Sequence, residues 1–257
     1  MSKSLAIASG KGGVGKTTIA VNLAITQSKI SKCLLLDADM GMANAHILLG
    51  INPSKTIKEV IDGNCNLENA IMNGPAGVNF ISGGSGITEL LNIDSKARLN
   101  FIRNFDNISD KIDNLIIDVS AGAEETSLSM LSASDRILVV LVNEPTSFMD
   151  AFTLIKVCNL EFGFNQFCVT VNMVKNDKEG LNIFNKFNQI ITKFYNVNLL
   201  YTGSVPSNRN IKHSILKKKP IVLNKDNKEI AIIFERILKK INDAPYNKYS
   251  GIKFFQR

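Results

Sequence analysis

Short apolar runs alternate with longer stretches of helical periodicity along most of the chain. The runs at 5–8, 33–36, 78–81, 115–117, 137–142, 167–171 and 199–204 have strand length and are rich in β-branched residues. Helical patterns cover 16–27, 97–108, 124–131, 146–160 and 181–195. Strands that are apolar on both faces and joined by helical crossovers predict an α/β fold. Its core is a single doubly wound, mostly parallel sheet with helices on both faces. Further on, Ile230, Ile233, Phe234, Ile237, Leu238 and Ile241 follow the spacing of one helix face, a stripe expected to dock on the sheet. Pro245 ends that pattern. With no linker or repeat before it, residues 1–244 read as one domain and 245–257 as a short tail.

Composition narrows the class. The 257 residues are 45% hydrophobic and 21% charged, which suits a globular chain and argues against disorder. No apolar run approaches the roughly 18 residues that a membrane-spanning helix needs. Met1-Ser2-Lys3-Ser4 runs directly into the first strand, so no signal peptide is expected and a cytoplasmic chain is. Cys33, Cys65, Cys158 and Cys168 form no C-x-x-C, and neither His46 nor His213 stands at ligand spacing, which argues against a disulfide framework or a cysteine metal site. Charge is uneven. Residues 205–257 hold 13 Lys or Arg against 4 Asp or Glu, and the rest of the chain is close to neutral. That local excess fits either an anionic partner or a solvated basic face.

The most specific motif is Gly10-Lys11-Gly12-Gly13-Val14-Gly15-Lys16-Thr17-Thr18, which follows a strand and opens a helix. Glycines let the backbone curl so that its N–H groups converge on phosphate oxygens, and the helix beginning near Gly15 adds its positive end. Lys16 is placed to reach the β and γ phosphates of a nucleotide, and the Thr17 hydroxyl to complete a Mg²⁺ shell.

Three further strand ends carry polar groups. Leu34-Leu35-Leu36 ends in Asp37-Ala38-Asp39, two acids that could hold Mg²⁺ or orient an attacking water; either one alone could instead cap the next helix. Leu115-Ile116-Ile117 ends in Asp118, the expected Walker B carboxylate, followed by Gly122. The strand through Val171 ends in Asn172, whose amide suits an adenine edge as well as it suits a turn.

The loop as a whole, with its second lysine at Lys11, resembles the deviant phosphate loop of the MinD/ParA family of ATPases. The resemblance covers residue 4 to about 240. It leans toward flagellar number and placement regulators of the FlhG/FleN type on Asp37–Asn44, Glu144–Ala151 and Val171–Val174. It implies an ATP- and Mg²⁺-dependent ATPase that forms a homodimer on ATP binding, with Lys11 reaching across to the partner's phosphates. It further implies that Asp39 positions the water, that Asn172 selects adenine, and that Pro206 packs against the base. Implied partners are a flagellar GTPase, or a C-ring or regulatory protein. The activator extension that often precedes the first strand in such regulators has no counterpart in Met1-Ser2-Lys3, so that activity is not expected.

Residues 246–257 mix aromatics and cations as membrane-targeting tails of that family do. They are expected to bring the protein reversibly to an anionic membrane surface at the inner face of the cell membrane. Rival readings of the same pattern are a MinD-type division-site regulator and a ParA-type partition ATPase. The latter would hold DNA non-specifically through Lys212, Lys217, Lys218 and Lys219. An iron–sulfur carrier of the same fold would want the missing C-x-x-C, and a related tyrosine kinase rests on Tyr246 and Tyr249 alone.

Overall fold

A computed structural model of the chain describes residues 3–39, 44–83, 100–247 and 251–255. Among the described residues eight strands form one sheet: β1 (Lys3–Ala8), β2 (Cys33–Ala38), β3 (Met72–Asn73), β4 (Asn79–Ser82), β5 (Asn114–Val119), β6 (Arg136–Leu141), β7 (Gln166–Val174) and β8 (Asn198–Pro206). Their order is β3-β4-β2-β5-β1-β6-β7-β8. Every pairing is parallel except that of β3, a two-residue edge strand whose lack of any apolar run hid it from the sequence pattern. The main helices are α1 (Lys16–Ser28), α2 (Ala45–Leu49), α3 (Ile57–Ile61), α4 (Glu125–Ser132), α5 (Pro145–Phe162), α6 (Asp177–Ile191), α7 (Arg209–Leu216) and α8 (Lys228–Asp243).

Alternate residues of the central strands feed two cores, so those strands had to be apolar throughout. Ala6, Leu34, Leu36, Leu115, Ile117, Ile137 and Val139 pack on one side with α5 and α6. Ile7, Leu35, Ile116, Leu138 and Val140 pack on the other with α1 and α8. The expected stripe on α8 docks as predicted, with Ile230, Phe234, Ile237, Leu238 and Ile241 all buried. The predicted 97–108 helix reaches the described residues as a turn that tightens into a 3-10 segment over Asn104–Ile108. Its first residues, 97–99, lie outside the described ones.

The closing segment, expected to reach a membrane surface, is docked against the protein over residues 251–255. Phe254 and Phe255 are buried, with the Phe105 ring 5.0 Å and 6.4 Å from theirs. The backbone N–H of Phe254 donates to the Ala133 carbonyl at 3.0 Å. The Asn247 side chain accepts from the N–H groups of Asn165 and Gln166 and donates to the Gln166 carbonyl. Burying two phenylalanines is more favourable than exposing them to water, and a segment from the chain end fills that gap. Residues 248–250 and 256–257 lie outside the described ones. No described helix is long and apolar enough to cross a membrane.

Candidate nucleotide site

In an open α/β sheet, ligands gather beyond the carboxyl ends of the strands where the strand order reverses. Here β1 sits between β5 and β6, and the loop from Ser9 to Gly15 leaves it at that point. Two glycines of the loop are required by geometry. A Cβ on Gly10 would lie 2.1 Å from the Asp150 carbonyl carbon of α5. Gly15 is left-handed at φ +84°, and a Cβ there would lie 2.3 Å from the Asn172 amide nitrogen. Gly15 also stands at the cap of α1 with no side-chain acceptor there and no acid in the first turn. The first N–H groups of α1 are therefore left for an anion.

Beneath the loop lies a compact charge cluster. Asp37 and Asp118 are directly paired across β2 and β5, so both carboxyls emerge at one end of the sheet. Lys16 is buried and donates to Asp118 Oδ1 at 2.6 Å, while Asp39 Oδ2 lies 3.7 Å from the same ammonium. Asp118 is fully buried, and its Oδ2 has no hydrogen-bond partner. An orphaned buried carboxylate oxygen at the end of β5, next to the phosphate loop, fits a hard divalent cation with oxygen ligands. Asp37 is otherwise engaged. Its two oxygens accept from the N–H groups of Asp39, at 3.3 Å, and Ala45, at 3.0 Å, so it anchors the start of α2.

Electrostatics follows from this burial. The Asp37 carboxyl is pushed up to about 7, chiefly by burial and then by the Asp118 carboxylate, with the two N–H bonds and Lys16 opposing. Asp118 is raised as well, again first by burial, with Lys16 and the Thr17 hydroxyl pulling it back. Between the ordinary carboxyl range near 4 and a native value near 7, the folded protein binds more protons than the unfolded chain. Stability therefore falls as pH rises through that window, by no more than about 4 kcal/mol. Urea titrations of nucleotide-free protein are expected to show the midpoint falling from about pH 5 to about pH 7. Asp37→Asn, which keeps the acceptor for Ala45, should flatten that dependence. An unchanged slope would assign it to other groups.

The other sequence-derived candidates divide. Asn172 is buried and donates from its amide to the Val14 carbonyl at 2.7 Å, so it braces the phosphate loop from behind. Met173 follows at φ +59°, a left-handed position that a side chain rarely takes and that is commonly maintained at functional sites. Pro206 ends β8 beside Val174 of β7, with β6 and β7 between its strand and β1. Gly122 turns at φ +93° and donates its N–H to the Ser9 carbonyl at 2.9 Å, tying the loop after β5 to the end of β1. Gly12, Gly13 and Thr18 lie in the loop and first turn as expected, while residues 40–43 after Asp39 lie outside the described ones. Lys11 is set apart from the cluster: its ammonium donates to Glu144 Oε2 at 2.7 Å and to Thr146 Oγ1 at 3.2 Å. The sequence reading used Glu144 and Thr146 only as family markers. Their role as a cradle for Lys11 becomes visible once β6 delivers them to the loop.

A phosphate loop leaving β1, a buried lysine on a strand-end aspartate and a doubly wound sheet define a P-loop nucleoside triphosphatase. Within that class the chain belongs to the ParA/MinD family. Residues 1–242 match the family model described as "ParA: NUBPL iron-transfer P-loop NTPase". The chain is 33% identical to the antiactivator FleN of Pseudomonas aeruginosa over 254 residues, 98% of this chain and 91% of that one. It is 29% identical to the flagellum site-determining protein YlxH of Helicobacter pylori, over 84% of this chain and 74% of that one. Among solved structures, the MinC:MinD cell division complex of Aquifex aeolicus superposes with a TM-score of 0.78 at 23% identity, covering 97% of this chain and all of that one. That similarity supports the fold and nothing further.

Proposed function

We propose that the chain is an ATP-driven dimerising switch that regulates the number or placement of flagella by reversible association with a membrane surface or a protein partner. The observation that carries the dimer is Lys11, a loop lysine held by Glu144 and Thr146 outside the Lys16–Asp118 cluster. Such a cation is available for the phosphates of a second copy. The flagellar role is supported by the FleN and YlxH relatives.

In this reading Lys16 exchanges Asp118 for the β and γ phosphates, the loop N–H groups cradle the phosphate oxygens, and Asp39 orients the attacking water. The amide oxygen of Asn172, with Pro206 beyond it, faces the base. Magnesium supplies charge neutralisation at the phosphates; Thr17 and the free oxygen of Asp118 would hold it, with Asp37 beside them. For residues 246–257 to reach a membrane, Phe254 and Phe255 would first have to leave the core.

The test is sedimentation velocity with ATP and with ADP, alongside phosphate release at rising protein concentration. A dimer formed only with ATP, and specific activity that climbs with concentration and is lost in Lys11→Ala, support the reading. A monomer with ATP and concentration-independent activity would sink it. Glu144→Gln loosens the cradle of Lys11 within one copy, an exposed ion pair of at most about 1 kcal/mol, so the dimer should form up to about fivefold more readily. Dimerisation equal to or weaker than that of the parent would show that Glu144 acts across the interface instead.

A further inference from the structure

Four of the 13 Lys or Arg residues in the final fifth of the chain gather at one corner that the nucleotide site does not use. Between α7, the turn after it and the end of α2 lies a cavity of about 720 Å³. Its walls include His213, Lys217, Lys218, Lys219 and Lys225, and no carboxylate lines it among the described residues. No ion pair links any of these four lysines to an acid among the described residues. Buried Pro220, Ile221 and Val222 anchor the segment, and Val222 N–H donates to the Asn22 side chain of α1, so the lysines stand on a fixed platform.

The backbone is bent to present them. Lys218 sits at φ +52°, the helix-ending position where glycine is the usual residue, and its N–H donates to the Ile215 carbonyl. A left-handed lysine costs stability that glycine would not. Four like charges around one concavity repel one another unless an anion enters. Leu216, directly before Lys217 in the chain, is 79% exposed, Ile215 is exposed as well, and Leu223 of the cavity wall is partly exposed.

We propose that this cavity is a headgroup site for an anionic phospholipid, with Leu216 entering the acyl region above it. The proposal rests on the membrane-switch reading, and names the surface that makes contact while Phe254 and Phe255 stay docked. Phosphate esters match the lysines, and a soluble phosphate or a nucleic-acid backbone shares that chemistry but gives Leu216 nothing to bury into. The far wall, Leu49 and Gly50, closes the same five-residue helix whose first N–H is held by Asp37.

The experiment is sedimentation of the full chain, with ATP, on vesicles of phosphatidylglycerol in phosphatidylcholine and on phosphatidylcholine alone. The variants are Lys217→Gln/Lys218→Gln/Lys219→Gln and, separately, Leu216→Ser, with ATP hydrolysis as the control for folding. The expected result is pelleting only with the anionic vesicles, weakened about tenfold or more by the triple variant and severalfold by Leu216→Ser, with hydrolysis intact. If the triple variant pellets as the parent does, the contact lies elsewhere: this inference falls and the switch reading stands. If the parent pellets under no nucleotide, both the membrane reading and this site fall. Inorganic triphosphate or duplex DNA bound by the parent, lost in the triple variant and indifferent to Leu216→Ser, would assign the cavity to a soluble phosphate or to nucleic acid and overturn the lipid.

Discussion

Lys16→Ala is expected to abolish ATP hydrolysis, by at least about a hundredfold, because a cation buried at the phosphate end of the cluster is removed. The same variant carries a second, opposite-looking signature. Lys16 is the ammonium that Asp118 touches at 2.6 Å, and Asp37 lies directly beside Asp118 on the next strand. Removing one partner of a buried ion pair leaves a charge without compensation, which typically costs about 3–5 kcal/mol. Both carboxyls are already raised by burial, so they escape the cost by taking up protons as pH falls. Lys16→Ala should therefore be markedly less stable than the parent at about pH 8 and approach it near pH 5. Thermal melts of nucleotide-free protein across that range measure it. A deficit independent of pH would mean that Lys16 supports the fold through packing alone; hydrolysis above a tenth of the parent rate would remove it from the phosphates.

What the sequence disclosed and what it hid separate along a physical line. Periodicity located the central parallel strands because they are buried on both faces, as Leu34, Leu35 and Leu36 illustrate. It missed β3, α2, α3 and α7, which are short, and α7 buries none of its residues. The phosphate loop was legible because its chemistry demands specific residues at fixed spacing. Which acid does what was less legible. Asp37 and Asp39 look alike in the sequence, yet Asp37 is spent on the N–H of Ala45 and only Asp39 is drawn toward Lys16. Asn172 was left between base reader and turn former, and its contact with Val14 spans 158 positions of chain that no local pattern records. The lysines at 217–219 were visible as charge, but their concavity depends on Gly50 and Pro75 from distant segments.

The aromatic chain end gives the second large expected effect. Composition alone marks Phe254 and Phe255 as residues to insert into a bilayer, and the same apolar area serves equally well inside the protein. Phe254 is 2% exposed, with its ring edge-on to that of Phe105, which is itself fully buried and edge-on to Phe101. The neighbouring Lys253 ammonium donates to the carbonyls of Ser134 and Asn247, and burial lowers its pKa. A half-buried lysine held by two carbonyls and a phenylalanine so packed tie the segment to the folded core. Phe254→Ala should cost about 3–4 kcal/mol, lowering the melting temperature by roughly 10 °C in a chain of this size. Leu216→Ser, on an exposed side chain, should leave it unchanged. If the segment were free in solution, Phe254→Ala would melt with the parent and lose only vesicle binding, so calorimetry and sedimentation on the same variant separate a core residue from an anchor. A segment that both stabilises the fold and binds lipid would show both losses, and its vesicle binding would then carry the cost of undocking. That cost would make ATP-dependent release of the segment measurable as faster exchange of the Phe254 amide proton, which is held by the Ala133 carbonyl in the docked state.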